Sequence, residues 1–254
     1  MKVNFRLNRG VRMILVGVVL IGVIGFAERR GGEEVCNDVV IKISNQYSNF
    51  FIDQQDIIRL ITDNGSELVK GASFNHLNLK EIEERVKADP FIKTAQIYKD
   101  LKGSLIVNTE LRRPFARILG NTKPDTYVAM DGTILPVSEK YITRSILISG
   151  SYADELMSQS LTNTEEGRRV YEMLNYIYND KFWKAQIAQI DIDKNMNMVL
   201  YPQVTKQMVE FGKPEDIEVK FKKLKIFYTE ILPQRGWNRY ERVNLKYKDQ
   251  IIAE

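Results

Sequence analysis

The run Leu105-Ile-Val-Asn-Thr-Glu-Leu-Arg112 alternates without a break. Leu105, Val107, Thr109 and Leu111 fall on one face, and Ile106, Asn108, Glu110 and Arg112 on the other. A period of two marks a strand with one buried face, because successive side chains of a strand point to opposite sides. Toward the N-terminus the turn Asp100-Leu-Lys-Gly103 precedes this run, and a strand-like stretch, Phe91–Tyr98, precedes the turn. Asp89-Pro90 closes the segment before it, since proline disfavours helix in the preceding residue. That segment reads as a helix opening at Asn78, with Glu81 at N3, Leu77 and Ile82 placed as a hydrophobic staple, and Leu79, Ile82 and Val86 at helical spacing. Another helix opens at Asp53, with Asp56 at N3 and Ile52/Ile57 as its staple, and Val39-Val40-Ile41-Lys42-Ile43 reads as a short strand. Strand, helix, helix, strand, strand is an α+β layer in which two helices cover one sheet face.

Farther out lies an apolar run, Met13–Ala27, preceded by Lys2, Arg6, Arg9 and Arg12. Basic flanks stay cytoplasmic, so Arg9 and Arg12 set the topology and everything from Glu28 onward is expected on the far side of a membrane. Counted from Val11 with Arg12 reaching to the headgroups, the run spans roughly 25 Å of a ~30 Å hydrocarbon core, a short membrane helix. The same stretch also fits a secretory signal with an apolar core of about 13 residues and Gly25-Phe26-Ala27 as a small-x-small cleavage site. The run by itself leaves both readings open. Its glycines, Gly17, Gly22 and Gly25, are not spaced as GxxxG and give no reason to expect a tight helix dimer.

The chain carries 37 Lys+Arg against 33 Asp+Glu, net +4. Four of those basic groups sit in residues 1–12, so the rest of the chain is balanced and the basic pI does not describe a nucleic-acid surface. The lone cysteine, Cys36, excludes an intramolecular disulfide and is expected as an unpaired thiol near a flexible stalk, Glu28–Asn37. Catalytic groups are scarce. The single histidine, His76, precedes a helix cap and has no partner for a Ser–His–Asp arrangement. No Cys/His spacing suits a metal, no glycine loop suits a phosphate, and the adjacent pairs Glu83/Glu84 and Glu165/Glu166 point to different helix faces. Trp183 and Trp237 read as packing anchors. No cofactor and no enzymatic activity are expected.

Residues 113–254 read as short strands around two helices. Thr164 caps the first, with Glu165 and Glu166 in its first turn and Val170, Leu174 and Ile177 as its apolar face. Strands are expected at Gln186–Ile192, Met196–Tyr201 and Gln207–Phe211. Pro214, placed in the first turn, opens the second helix, whose stripe is Ile217, Phe221, Leu224, Tyr228 and Ile231. Lys220, Lys222, Lys223 and Lys225 flank that stripe and read as a solvated face, with a site for acidic partners as the alternative. The last segment, Val243-Asn-Leu-Lys-Tyr-Lys-Asp-Gln-Ile-Ile252, alternates apolar and polar and is expected to end the fold as a single strand.

A βααββ module directly outside one membrane anchor resembles the POTRA domain of the bacterial division protein family FtsQ (DivIB). Leu111-Arg-Arg-Pro-Phe-Ala-Arg117 is similar to the family's motif after the POTRA hairpin, Tyr127-Val-Ala-Met-Asp-Gly-Thr-Ile-Leu-Pro136 to its Asp-Gly turn segment, and Leu147-Ile-Ser-Gly150 to the Gly-terminated strand that follows. Pro136-Val-Ser and the Tyr141…Arg144 stretch resemble Bacteroidetes-type members in particular. Glu110 lies four residues before Pro114, where many members place the acid three before. Val243-Asn-Leu-Lys-Tyr247 resembles the closing Val-Asp-Leu-Arg-Tyr strand, with Asn244 and Lys246 in place of the acid and the arginine.

The resemblance implies an organisation of cytoplasmic tail 1–12, transmembrane helix 13–27, stalk 28–37, POTRA domain 38–112 and C-terminal β-domain 113–254. It implies a non-catalytic scaffold of the inner membrane, its bulk periplasmic, which positions FtsB- and FtsL-like proteins at the division septum and regulates septal peptidoglycan synthesis. It further implies that the partner adds a strand along Arg242, Val243, Asn244, Leu245, Lys246, Tyr247, Lys248 and Ile251; an unpaired sheet edge supplies the N–H and C=O groups for such pairing, and the side chains of Val243, Leu245 and Tyr247 read equally well as core residues of a terminal strand. The alternative is a cleaved periplasmic POTRA chaperone that feeds strands to an outer-membrane or secretion machine.

Overall fold

Helix α1 (Arg9–Gly31) opens a computed structural model that describes residues 9–31, 34–46, 49–248 and 250–254. Lys2 and Arg6, and the side chains of Arg9 and Arg12, lie outside the described residues. The side chains described in this helix, Met13–Gly25, cover only about 20 Å at ~1.5 Å per residue. Among the described residues no helix is long and apolar enough to cross a membrane. The chain divides into two units, Met1–Ser44 with Ile52–Glu110, and Asn45–Phe51 with Leu111–Glu254.

In the N-terminal unit, β1 (Asp38–Ser44) is followed by α2 (Gln54–Ile61), α3 (Leu79–Lys87), β2 (Ile92–Lys99) and β3 (Ser104–Leu111). Both expected caps form. Asp53 and Asp56 exchange backbone-to-carboxylate hydrogen bonds of 2.9 Å, a reciprocal capping box, and Asn78 Oδ1 accepts the Glu81 N–H at 3.3 Å. Such a cap contributes about 1 kcal/mol. The three-stranded sheet has the order β1-β3-β2, with β1 parallel to β3 from Asp38↔Ser104 to Ser44↔Glu110. Ile57, Ile61, Ile82 and Val86 of the helices are buried, as are Leu105, Val107, Thr109 and Leu111, the face read from the alternation.

The expected stalk is shorter than 28–37. Helix α1 runs through Gly31, and Glu34–Asn37 belong to the N-terminal unit's fold: Val35 bridges Ser73 and the Cys36 N–H donates to the Ala72 carbonyl at 2.8 Å. Cys36 is accordingly buried rather than stalk-like, and burial pushes its thiol pKa up.

The C-terminal unit runs β4 (Pro114–Ile118), β5 (Thr126–Ala129), β6 (Ile134–Pro136), β7 (Ile146–Ser149), α4 (Ala153–Leu156), α5 (Glu165–Asn179), α6 (Lys181–Gln186), β8 (Ile187–Ile192), β9 (Met198–Pro202), β10 (Met208–Gly212), α7 (Ile217–Ile226), a π-turn (Phe227–Ile231), α8 (Leu232–Arg235), β11 (Arg242–Asn244) and β12 (Ile252–Ala253). Its sheet is mixed, in the order β12-β11-β10-β9-β8-β7-β4-β5-β6. One face packs on the helices through Ile148, Ile190, Leu200, Val209 and Val243, against Val170, Leu174, Ile177, Trp183, Phe221 and Leu224. More than the expected two helices result, because short α4 and α6 flank α5.

Two further expectations change. Pro214 lies in a bend, and α7 starts at Ile217 after Asp216 takes a left-handed φ of 50°. The apolar stripe also loses its spacing. The π-turn bonds the Leu232 N–H to the Phe227 carbonyl, which inserts one residue into the helical phase. Phe227, Tyr228 and Leu232 are therefore buried, whereas Ile231 is only partly so.

The motif turns have physical reasons. Gly132 sits at φ 83°, and Asp131 accepts the Thr133 N–H at 3.1 Å and Arg112 Nε at 3.1 Å. Burial alone would raise the Asp131 pKa, but the Thr133 bonds and the Arg112 charge outweigh it and hold the carboxyl below its ordinary range. Gly150, at φ 107°, brings its Cα so close to β8 that a Cβ would meet the Ile192 carbonyl oxygen at 2.3 Å.

Candidate functional site

The closing segment is two strands, not one. β11 pairs in parallel with β10, through Met208↔Arg242, Val209↔Val243 and Glu210↔Asn244, as the crossover through α7 requires. The chain then leaves the sheet at Leu245, bends at Tyr247–Lys248 and returns as β12, antiparallel to β11 through Val243↔Ala253 and Asn244↔Ile252. Asp249 lies outside the described residues.

This arrangement moves the open edge. The Arg242 N–H donates to the Glu254 carbonyl at 3.1 Å, the Glu254 N–H returns to the Arg242 carbonyl at 3.0 Å, and the Leu245 N–H donates to the Glu210 carbonyl at 2.9 Å. The backbone of β11 is thus used on both sides. Val243↔Ala253 is the intervening pair without mutual hydrogen bonds, so the N–H and C=O of Ala253 point away from β11. The outward ladder groups at this end of the sheet therefore belong to β12 rather than to Arg242–Lys248.

At the sheet's opposite end, β6 terminates in Pro136, which has no N–H to donate. In the N-terminal unit, the Ile97 N–H of edge strand β2 is taken by Glu83 Oε2 at 3.1 Å. Such plugs blunt an edge.

Around β12 the side chains converge on one carboxylate. Glu210, 19% exposed, accepts Asn244 Nδ2 at 3.0 Å and Lys246 Nζ at 2.8 Å, and forms an ion pair with Arg242, whose Nη1 lies 3.3 Å away. Asn244 Oδ1 in turn accepts the Lys246 N–H at 2.9 Å. An amide at 244 donates to Glu210 where a carboxylate would repel it. Register places Glu210, Asn244 and Ile252 in one row on the face opposite the helices. With Arg242, Tyr247 and Glu254 they line a hollow of about 130 Å³. That is smaller than the ~300 Å³ lower bound for small-molecule sites.

The expected site residues separate accordingly. Arg242, Asn244, Lys246 and Tyr247 reach the outer face or rim, and Tyr247 is 49% exposed. Val243 and Leu245 are buried in the unit's own core and Ile251 packs partly against it, so their side chains serve the fold. Lys248 is exposed, and its carbonyl accepts from Lys223. Glu210, Ala253 and Glu254 carry no site expectation from the sequence, and Lys223 enters there only as part of the lysine face. Glu210 had one local signal, a charge between the inward residues Val209 and Phe211.

The expected lysine face of α7 is largely engaged. Lys222 pairs with Glu218 at 2.7 Å, Lys220 donates to the Lys213 carbonyl at 2.8 Å, and Lys225 lies 5.5 Å from the Phe182 ring centre. Lys223 donates to the carbonyls of Tyr247 at 2.7 Å and Lys248 at 3.2 Å.

Comparison with known proteins gives two matches to family models. Residues 34–110 match the POTRA-like domain, and residues 113–254, more than half of the chain, match the model described as FtsQ/DivIB, C-terminal related. No curated protein matches the chain. The match over residues 113–254, preceded by a POTRA-like domain, makes this chain a member of the FtsQ/DivIB family of cell-division proteins.

Proposed function

We propose that the protein is a non-catalytic divisome scaffold, held in the inner membrane by its N-terminal helix, that links and positions FtsB- and FtsL-like proteins at the septum and regulates septal peptidoglycan synthesis. The observation that carries this reading is the open ladder of β12, flanked by a polar hollow and by exposed Tyr247 and Ile252. A partner segment in extended form completes that ladder by strand addition, and Arg242, Asn244, Lys246 and Tyr247 give its side chains their polar and aromatic contacts. Anchoring is supported by α1, where the large apolar side chains from Met13 to Ile24 are each more than half exposed, and by the basic residues before it.

The test is affinity purification of the full-length protein from detergent-solubilised membranes, with the bait's N-terminus read by mass spectrometry. FtsB- and FtsL-like proteins on a bait with an intact N-terminus are expected. Ala253→Pro removes an outward donor from a residue whose own sheet bonds are not involved, so the variant should fold and bind the partner about tenfold more weakly. Leu245→Pro instead removes the donor to Glu210 and should disturb the end of the sheet itself. Undiminished partner recovery with folded Ala253→Pro would move the interface elsewhere. A bait beginning at Glu28 together with outer-membrane assembly factors would establish the cleaved chaperone instead.

A further inference from the structure

We propose that Lys223 is the positioning residue of the β12 edge: by holding the Tyr247 and Lys248 carbonyls, its ammonium fixes the bend that lays Ile252–Ala253 along β11. The value of this role for binding rests on the edge reading above; the positioning itself does not.

Seven residues, 245–251, separate the paired residues Asn244 and Ile252, and β12 is only two residues long. So short a strand at the end of so long a connection is marginal on its ladder bonds alone. The start of the connection is held by Lys246, through Asn244 and Glu210, and its end packs partly on the core through Ile251. Its turning point, Tyr247–Lys248, is exposed and lies outside any strand. There two successive carbonyls are brought to one cation, Lys223 Nζ, at 2.7 and 3.2 Å. Carbonyl oxygens that converge in a bend repel each other, and an ammonium with three donors offsets this for both at once. Lys222, Lys220 and Lys225 interact elsewhere, so of the four lysines of α7 it is Lys223 that reaches the closing segment, 24 and 25 residues away. Helix α7 thereby sets where the edge strand lies.

Hydrogen exchange of the full-length protein in detergent, followed by mass spectrometry, tests this without any partner. Lys223→Met keeps the length of the side chain and removes its donors. The expected result is that amides in 245–254 exchange about tenfold faster, as the loss of a charge-assisted bond implies, while 187–202 in β8 and β9 stay unchanged. Lys223→Arg, which keeps charge and donors, should restore most of the protection, which a role in packing alone would not predict. Unchanged exchange in Lys223→Met, or an equal rise across 187–202, would overturn the proposal. If Lys223→Met loosens 245–254 while Ala253→Pro leaves partner recovery intact, Lys223 still positions the strand and the edge reading is what fails.

Discussion

Gly150 and Gly132 are the glycines of the two turn motifs, and each is required for a different reason. At Gly150 the obstacle is a neighbour: a Cβ would lie 2.3 Å from the Ile192 carbonyl oxygen and 2.6 Å from its nitrogen, both backbone atoms that cannot rotate away. At Gly132 the φ of 83° disfavours a side chain, and the nearest obstacle is the Thr162 methyl. Gly150→Ala should therefore lose about 3 kcal/mol or more, from left-handed strain and from separation of β7 and β8, in urea unfolding followed by tryptophan fluorescence. A loss below ~1 kcal/mol would show that the strands part easily there. Local chemistry of this kind was legible in the chain. Asp53/Asp56 and Asn78/Glu81 act across three residues, so the partners of each cap stand side by side in the sequence. Glu210 was not legible as a hub, because Arg242, Asn244 and Lys246 reach it only after α7 has carried the chain back to pair β11 with β10.

At the scale of elements, Ile106 is buried on the opposite face of β3, but the inward face of Leu105–Leu111 and the stripe of α5 were read correctly because each keeps its period from end to end. Helix α7 does not. Its spacing holds from Ile217 to Tyr228 and then slips by one residue at the π-turn, so Leu232 enters the core in the place expected of Ile231. No spacing rule reveals such an insertion, since both residues are aliphatic and adjacent. Leu232→Ala should consequently cost about 2–5 kcal/mol and Ile231→Ala about 1 kcal/mol by denaturant titration; the reverse ranking would place Ile231 in the core and remove the π-turn. The same distinction explains the closing segment. Alternation from Val243 to Ile252 suggests one strand, yet the chain leaves the sheet after the Leu245 N–H bond to Glu210, bends where Lys223 holds Tyr247 and Lys248, and returns as a second strand.

At the scale of the whole molecule, chain order and the two units do not coincide. Asn45–Phe51 lies in sequence between β1 and α2 of the N-terminal unit but groups with the C-terminal one. Asn49 Nδ2 donates to the Arg112 carbonyl at 2.9 Å, and the Phe51 ring meets Tyr127 and Tyr141 edge to face at 5.5 and 5.1 Å. The sequence also supplies a native reporter for each unit: both tryptophans, Trp183 and Trp237, lie in the C-terminal unit, and the single cysteine, buried Cys36, lies in the other. Tryptophan fluorescence in urea thus follows one unit, and alkylation of Cys36, whose thiol is shielded and raised in pKa while folded, follows the other. Phe51→Ala deletes a ring that is 2% exposed and should cost about 3–5 kcal/mol. That loss is expected to lower the fluorescence midpoint more than the labelling midpoint, although the substitution falls inside the sequence of the POTRA-like match. Equal shifts would mean that the segment supports both units alike; a larger shift in labelling would assign Phe51 to the N-terminal unit and leave the C-terminal unit to stand on residues 111–254 alone.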